Sequence, residues 1–179
     1  MNPVVVSFFA AFLATALLIP SAADAQDASV AKSMQALKDQ TAELGAPKSE
    51  GKEAVGGKDA PALYFGSTKI NNNLAVVDKV AKEGGEGMAA TLFVKGGADE
   101  YIRVATTLPR ALGSELGGPA LDLINAGKPF YGEAPVMGVP CITGYEPIKD
   151  ASGAIIGVYS VGYKKAFTPL ATKSNSPVL

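Results

Sequence analysis

The chain has 179 residues with 16 basic and 17 acidic side chains, no histidine and a single cysteine, Cys141. The near-balance of charge gives no basic excess for nucleic acid, and the missing histidines exclude Ser-His-Asp and Cys-His nucleophilic catalysis as well as His-ligated zinc or haem. One thiol makes neither an internal disulfide nor a thiolate cluster, so no cofactor is expected, Cys141 should be buried, and packing alone must hold the fold.

Residues 4–19 are apolar except for Ser7 and Thr15, and Pro20-Ser21 then leads into Ala23-Asp24-Ala25. Small residues at the first and third positions before a cut suit signal peptidase, so residues 1–25 read as a leader cleaved after Ala25. The apolar run is short for a membrane span, which needs about 20 residues; the alternative is an uncleaved anchor, since no Lys or Arg precedes the run. Cleavage removes only Asp24 among the charged residues and leaves 16 of each sign. The expected location is periplasmic or secreted, with no membrane insertion once the leader is gone.

The mature chain starts with a helix over residues 26–44, in which Val30, Met34, Leu37, Thr41 and Leu44 form one stripe from about residue 27 onward. Gly45 and Pro47 end it. Residues 45–61, rich in Gly, Lys and Glu, read as a flexible surface loop. Gly51 and Gly56-Gly57-Lys58-Asp59 miss the phosphate-loop spacing by one residue and lack its Ser or Thr.

Residues 62–70 read as a strand, and Asn72 or Asn73 caps a helix through Ala81 with Leu74, Val77 and Val80 on one face. The Gly84-Gly85-Glu86-Gly87 turn precedes an apolar strand over 88–94 instead of following one, which rules out a dinucleotide fingerprint. Gly96-Gly97-Ala98-Asp99 joins that strand to another over 100–108 as a hairpin. A loop follows over 109–117, then a short helix over 119–126 with Pro119 at its start and Gly127 past its end. Strands over 139–148 and 154–163 flank a turn at 149–153, and 168–179 reads as a frayed tail. Helix, strand, helix, then antiparallel hairpins with one short helix inserted define an α+β domain.

From Ala62 onward the sequence resembles the Cache family of extracytoplasmic sensor domains, and most closely the soluble modules of chemoreceptors and sensor kinases. The matching segments are Val76-Val77-Asp78-Lys79-Val80, Met88-Ala89-Ala90-Thr91-Leu92-Phe93-Val94, Tyr101-Ile102-Arg103-Val104-Ala105-Thr106-Thr107-Leu108, Gly127-Lys128-Pro129-Phe130-Tyr131-Gly132, and Tyr145-Glu146-Pro147-Ile148-Lys149-Asp150 followed by Gly153-Ala154-Ile155-Ile156-Gly157-Val158. The resemblance implies a PAS-like fold: a long N-terminal helix beside a curved antiparallel sheet, with a small ligand between the sheet and the short helices and loops covering it. The Cache-type domain is placed at 62–167. Two departures stand out. Pro109-Arg110-Ala111-Leu112-Gly113 replaces a loop in which members often carry aspartate, glycine and arginine, and Cys141 stands where an aromatic residue is common. No family ligand is therefore carried over.

Strand alternation puts Tyr101, Arg103, Ala105 and Thr107 on one face and Ile102, Val104 and Thr106 on the other. An arginine among apolar strand residues is costly unless paired. Arg103 either meets a ligand carboxylate in a bidentate pair or forms a structural pair with Glu146 or Glu133. Tyr131 offers a ring and a hydroxyl from a Gly-rich segment. Cys141, Thr143 and Tyr145 alternate on one strand face, with Ile142 and Ile148 opposite, and Met137 is a gap-filler near the lid. The candidate ligand-binding residues are therefore Tyr101, Arg103, Thr107, Tyr131, Cys141 and Tyr145. The expected function is non-catalytic binding of a small carboxylate or amino acid, with the bound state passed to a membrane receptor, sensor kinase or transporter; the alternative is a ligand-free interaction module.

Overall fold

A computed structural model describes residues 22–109 and 111–165. The apolar run that carries the leader expectation, the tail expected over 168–179, and Arg110 lie outside these residues.

Helix α1 spans Ala22–Ala42 and so begins on the leader side of the expected cut. Its stripe is buried: Val30, Met34, Leu37 and Thr41 all face the core. The Thr41 hydroxyl turns back on its own helix, donating to the Leu37 carbonyl at 3.0 Å, which lets a polar residue end an apolar stripe without an unmet donor.

The segment over 45–61 is not a loop. Strands β1 (Pro47–Val55) and β2 (Lys58–Phe65) form an antiparallel hairpin, and Val55 pairs with Lys58 around Gly56-Gly57. Both glycines have positive φ, +56° and +85°, as the tightest hairpin turns require. The strand escaped notice because β1 is almost wholly solvated and polar, so it shows no apolar alternation. Charge along such an edge also discourages pairing with other chains. Strand β3 (Thr68–Lys69) completes a three-stranded sheet. Buried Asn71 then extends the pairing with its side chain: its Oδ1 accepts from the Leu63 N–H at 2.9 Å and its Nδ2 donates to the Pro61 carbonyl at 3.0 Å.

Helix α2 (Ala75–Gly84) starts one or two residues later than expected and runs three residues past Ala81. The Asn73 side chain accepts from the Ala75 N–H at 3.1 Å, a role suited to a short polar side chain at a helix start. Val77 and Val80 are its buried face.

The main sheet has five antiparallel strands: β4 (Met88–Lys95), β5 (Tyr101–Thr106), β6 (Phe130–Val136), β7 (Val139–Lys149) and β8 (Ile155–Lys164), in spatial order β5-β4-β8-β7-β6. Helix α3 (Ala120–Asn125) precedes β6. Sequence patterning missed β6, because Gly132 and Pro135 interrupt it and only Ala134 is fully buried. Pro is tolerated there because β6 is an edge strand.

The two faces of this sheet are covered differently. One carries the larger core: Ala90, Leu92 and Val94 of β4, Ile102 and Ala105 of β5, Ile142 and Ile148 of β7 and Val161 of β8 pack with α1, α2 and β2. The other carries a smaller cluster in which Phe93, Tyr101, Tyr145 and Val158 pack under Leu116, Ala120 and Ile124.

The segment 111–116 covers this second face by pairing with the β5 edge. The Arg103 N–H donates to the Ser114 carbonyl at 2.8 Å, the Gly113 N–H to the Arg103 carbonyl at 2.9 Å, and the Leu116 N–H to the Tyr101 carbonyl at 2.9 Å. Its place is fixed from the far side by Gly56. A Cβ there would lie 2.1 Å from the Leu112 carbonyl oxygen, so the hairpin turn and the cover segment meet backbone to backbone.

Candidate functional site

A cavity of about 390 Å³ opens on the second face. Its floor is the sheet, with Thr91 from β4, Arg103 from β5, Cys141 from β7 and Ser160 from β8. Leu108 and Pro109 form one wall, and the β6–β7 hairpin tip, Val136, Met137 and Val139, forms the other. Lys164 and Thr107 also line it, and none of the described lining residues is acidic. The volume is that of a small organic ligand.

Arg103 is the dominant group. It is only 5% exposed. One terminal nitrogen donates to the Ser114 hydroxyl and lies 3.6 Å from the Met137 thioether sulfur, and the guanidinium carbon sits 4.8 Å above the Phe93 ring. Its Nε is buried with no hydrogen-bond partner among the described residues. Burial pulls the guanidinium pKa below its ordinary value, and the neighbouring Tyr145 opposes this only in part. Neither alternative structural partner reaches it. Glu146 is paired with Lys38 at 2.8 Å and accepts from the Tyr131 hydroxyl at 2.6 Å, while Glu133 pairs with Lys165. A cation taken out of water, with no carboxylate among the described residues to meet it, is an incomplete site in the physical sense.

Of the six residues singled out by sequence, the structure brings Arg103, Thr107 and Cys141 to the cavity. Thr107 is partly committed, since its Oγ1 accepts from the Ala90 N–H at 3.1 Å. The Cys141 thiol is buried, which raises its pKa against the opposing influence of the Val136 backbone and Lys164. Tyr101 and Tyr145 share the cavity's face but lie in the aromatic cluster beside it. The Tyr101 hydroxyl is used, donating to Asn125 Oδ1 at 3.0 Å.

Tyr131 is not at the cavity. It pairs with Gly144 across β6 and β7 and points to the α1 side, where it and Val30 crowd the Gly144 Cα. Burial first, and then the bond to Glu146, push its hydroxyl pKa well up.

The simple alternation assumed for β5 also needs correction. The pairing of β4 with β5 shifts between Leu92 and Phe93, so Val104 is an extra residue in the ladder. Beyond this bulge the faces exchange. Ala105 falls into the large core, and Thr106 moves to the Arg103 side, where its hydroxyl meets Thr91 Oγ1 at 2.7 Å. Sequence reasoning missed Thr91, Ser160 and Lys164 as lining groups. Polar residues at alternate positions of otherwise apolar strands, 160 and 164 on β8 and 91 on β4, were the signal that marks this face.

The described residues contain no cluster of His, Cys, Asp and Glu that would hold a metal ion, and no described helix is long and apolar enough to cross a membrane. The described residues thus form an antiparallel α+β domain with a ligand-sized cavity on one face of its main sheet. The chain belongs to the Cache 3/Cache 2 fusion domain family, whose sequence pattern matches residues 14–174. It is thus a Cache sensor domain, of a class of extracytoplasmic modules that bind small molecules, and the α+β, PAS-like expectation holds. Among solved structures, the sensor domain of DcuS from E. coli is similar over 50% of this chain and 64% of that one, at 16% identity and a TM-score of 0.40. The match thus spans less than two thirds of that chain. The comparison with curated proteins gives no match.

Proposed function

We propose that the cavity over Arg103 binds a small carboxylate-bearing molecule, a simple organic acid or an amino acid, through a charge-assisted pair with the guanidinium. The observation that carries this reading is the buried guanidinium itself, with its orphaned Nε and no carboxylate partner among the described residues, facing an open volume. A bidentate carboxylate meets such a fork with two parallel hydrogen bonds. Ser160 and Thr91 hydroxyls offer further polar contacts, and the apolar walls suit a short carbon skeleton. With no acidic lining residue, an ammonium group finds no counter-charge there, which favours acids without an amine.

The protein on this reading binds without turnover. The chain offers no histidine base, and its one thiol is buried. Binding takes place in the periplasm or outside the cell, after removal of the leader at Ala25, and the occupied state is read by a membrane receptor, sensor kinase or transporter.

A thermal-shift screen with acetate, pyruvate, succinate, alanine and ethylamine tests the reading. A carboxylate at a hundredfold excess over its dissociation constant should stabilise the fold by about 2.7 kcal/mol. That shift should vanish in Arg103→Met, and ethylamine should give none. No shift with any acid, or an undiminished shift in the variant, removes the assignment.

A further inference from the structure

The β6–β7 hairpin tip places one side chain in an unusual position. Val136 pairs with Val139, so Met137 and Gly138 are the two turn residues, and both have positive φ, +49° and +80°. Two-residue turns of this kind favour Asn or Asp followed by Gly. A long apolar side chain in the left-handed region is strained by about 1 kcal/mol or more. Met137 is nevertheless there, and it is 59% exposed while its sulfur lies 3.6 Å from the Arg103 guanidinium. The two other described methionines, Met34 and Met88, are 1% and 8% exposed. One methionine thus has an exposed side chain whose sulfur lies beside the buried cation, as a weak acceptor where a strong one is wanted.

We infer that Met137 is an oxidation site whose sulfoxide closes the cavity from within. A hydroperoxide in the surrounding medium supplies the oxidant. The sulfur lone pair attacks the outer peroxide oxygen, the O–O bond breaks, an S–O bond forms, and the displaced hydroxide or alkoxide takes the proton from the sulfur-bound oxygen to leave as water or alcohol. The sulfur is oxidised by two electrons and the peroxide is reduced by two. The product carries a polar S=O in place of a thioether. Three rotatable bonds let the Met137 side chain draw back and aim that oxygen at the guanidinium. The oxygen then takes the position a ligand carboxylate would occupy. Cys141 lines the same cavity but is 7% exposed against 59% for Met137. Reduction by a methionine sulfoxide reductase restores the open site.

The competition with carboxylates rests on the proposed anion site; the contact between sulfoxide and guanidinium does not. The test treats the full-length protein with hydrogen peroxide, locates the added oxygen by peptide mass mapping, and measures thermal midpoint and succinate or acetate affinity before and after. Oxygen should appear on Met137 ahead of Met34 and Met88. The midpoint should rise by a few degrees, and carboxylate affinity should fall about tenfold, the worth of one hydrogen bond to a charged group. Met137→Leu, which keeps size and shape, should show neither change, and Arg103→Leu, which adds no further thioether, should lose the midpoint rise while Met137 is still oxidised. If Met137 is oxidised with midpoint and affinity unchanged, or if Met137→Leu responds like the natural protein, the inference is overturned. If no carboxylate binds even the reduced protein, the anion reading fails, and the midpoint comparison still decides whether the sulfoxide pairs with Arg103.

Discussion

The two faces of the five-stranded sheet show two ways of treating a buried polar group. On the helix-covered face the polar groups that intrude on the core are paired, while Gln40 Oε1 at the contact of α1 with α2 is buried without a partner among the described residues. Glu146 takes hydrogen bonds from Lys38 and Tyr131, and Thr41 is bonded to its own helix and to the Tyr159 hydroxyl at 3.3 Å. On the cavity face Arg103 is buried with one nitrogen unmet and a thioether standing in for an anion. The same strands build both, residue by alternate residue. The fold is therefore held by one face and the other is left unfinished, so changes on the first should act on stability and changes on the second on binding.

The largest break in that division should come from Leu37→Ala. Leu37 is wholly buried in the stripe of α1, and truncation should cost about 2–5 kcal/mol in a urea melt, while the folded protein keeps its carboxylate affinity. Loss of affinity in protein that is still folded would show that the two faces are not separable. Gly56→Ala sharpens the boundary between them. The new Cβ meets the Leu112 carbonyl in a backbone already at positive φ, with an expected cost of about 1–3 kcal/mol. Because Gly56 braces the cover segment, amide exchange at Gly113 and Leu116 should speed up more than at the α1 core.

Arg103→Met should do the opposite of Leu37→Ala. Replacing a buried cation that lacks a carboxylate partner by an apolar side chain should leave stability unchanged or raise it by about 1 kcal/mol, while carboxylate-induced shifts disappear. A large loss of stability would mean that Arg103 is structural after all. The smallest effect is a pH dependence on the helix side. Burial alone would raise the Glu146 pKa, but the bonds from Lys38 and Tyr131 outweigh it and hold it below the ordinary value of 4.5. The unfolded chain then binds this proton more readily than the folded one. The stabilisation is complete above the ordinary glutamate value and is lost as pH falls through the folded value. Glu146→Gln should flatten that loss in melts taken below pH 4.5. With side chains part-exposed, the pair is a modest contributor.

How much of this was legible in the chain follows from the same division. The apolar stripe Val30, Met34, Leu37 and the hairpin at Gly96-Gly97 announce themselves, because core burial imposes a period and turns impose glycine. β1 and β6 were not legible, since a solvated edge strand needs no apolar alternation and tolerates Pro135. Arg103 stood out as a charge within an apolar strand. Its neighbours on the cavity face did not follow from counting by twos, because one extra residue at Val104 exchanges Ala105 and Thr106. Tyr131 was misplaced for a related reason: with β6 unrecognised, nothing in the sequence fixed the face to which it points.

The order of the strands has a kinetic consequence. β8, the last of the described strands, lies in the middle of the sheet, between β4 and β7. Until residues 155–164 are available, β4–β5 and β6–β7 are two separate hairpins with no backbone bonds joining them, and Val161 is missing from the core they would share. The closing pairs, such as Thr91 with Ser160, join residues far apart in sequence, which slows folding. A chain emerging from its N-terminus thus cannot close this sheet until residues 155–164 are free, so its two hairpins wait for the strand that joins them.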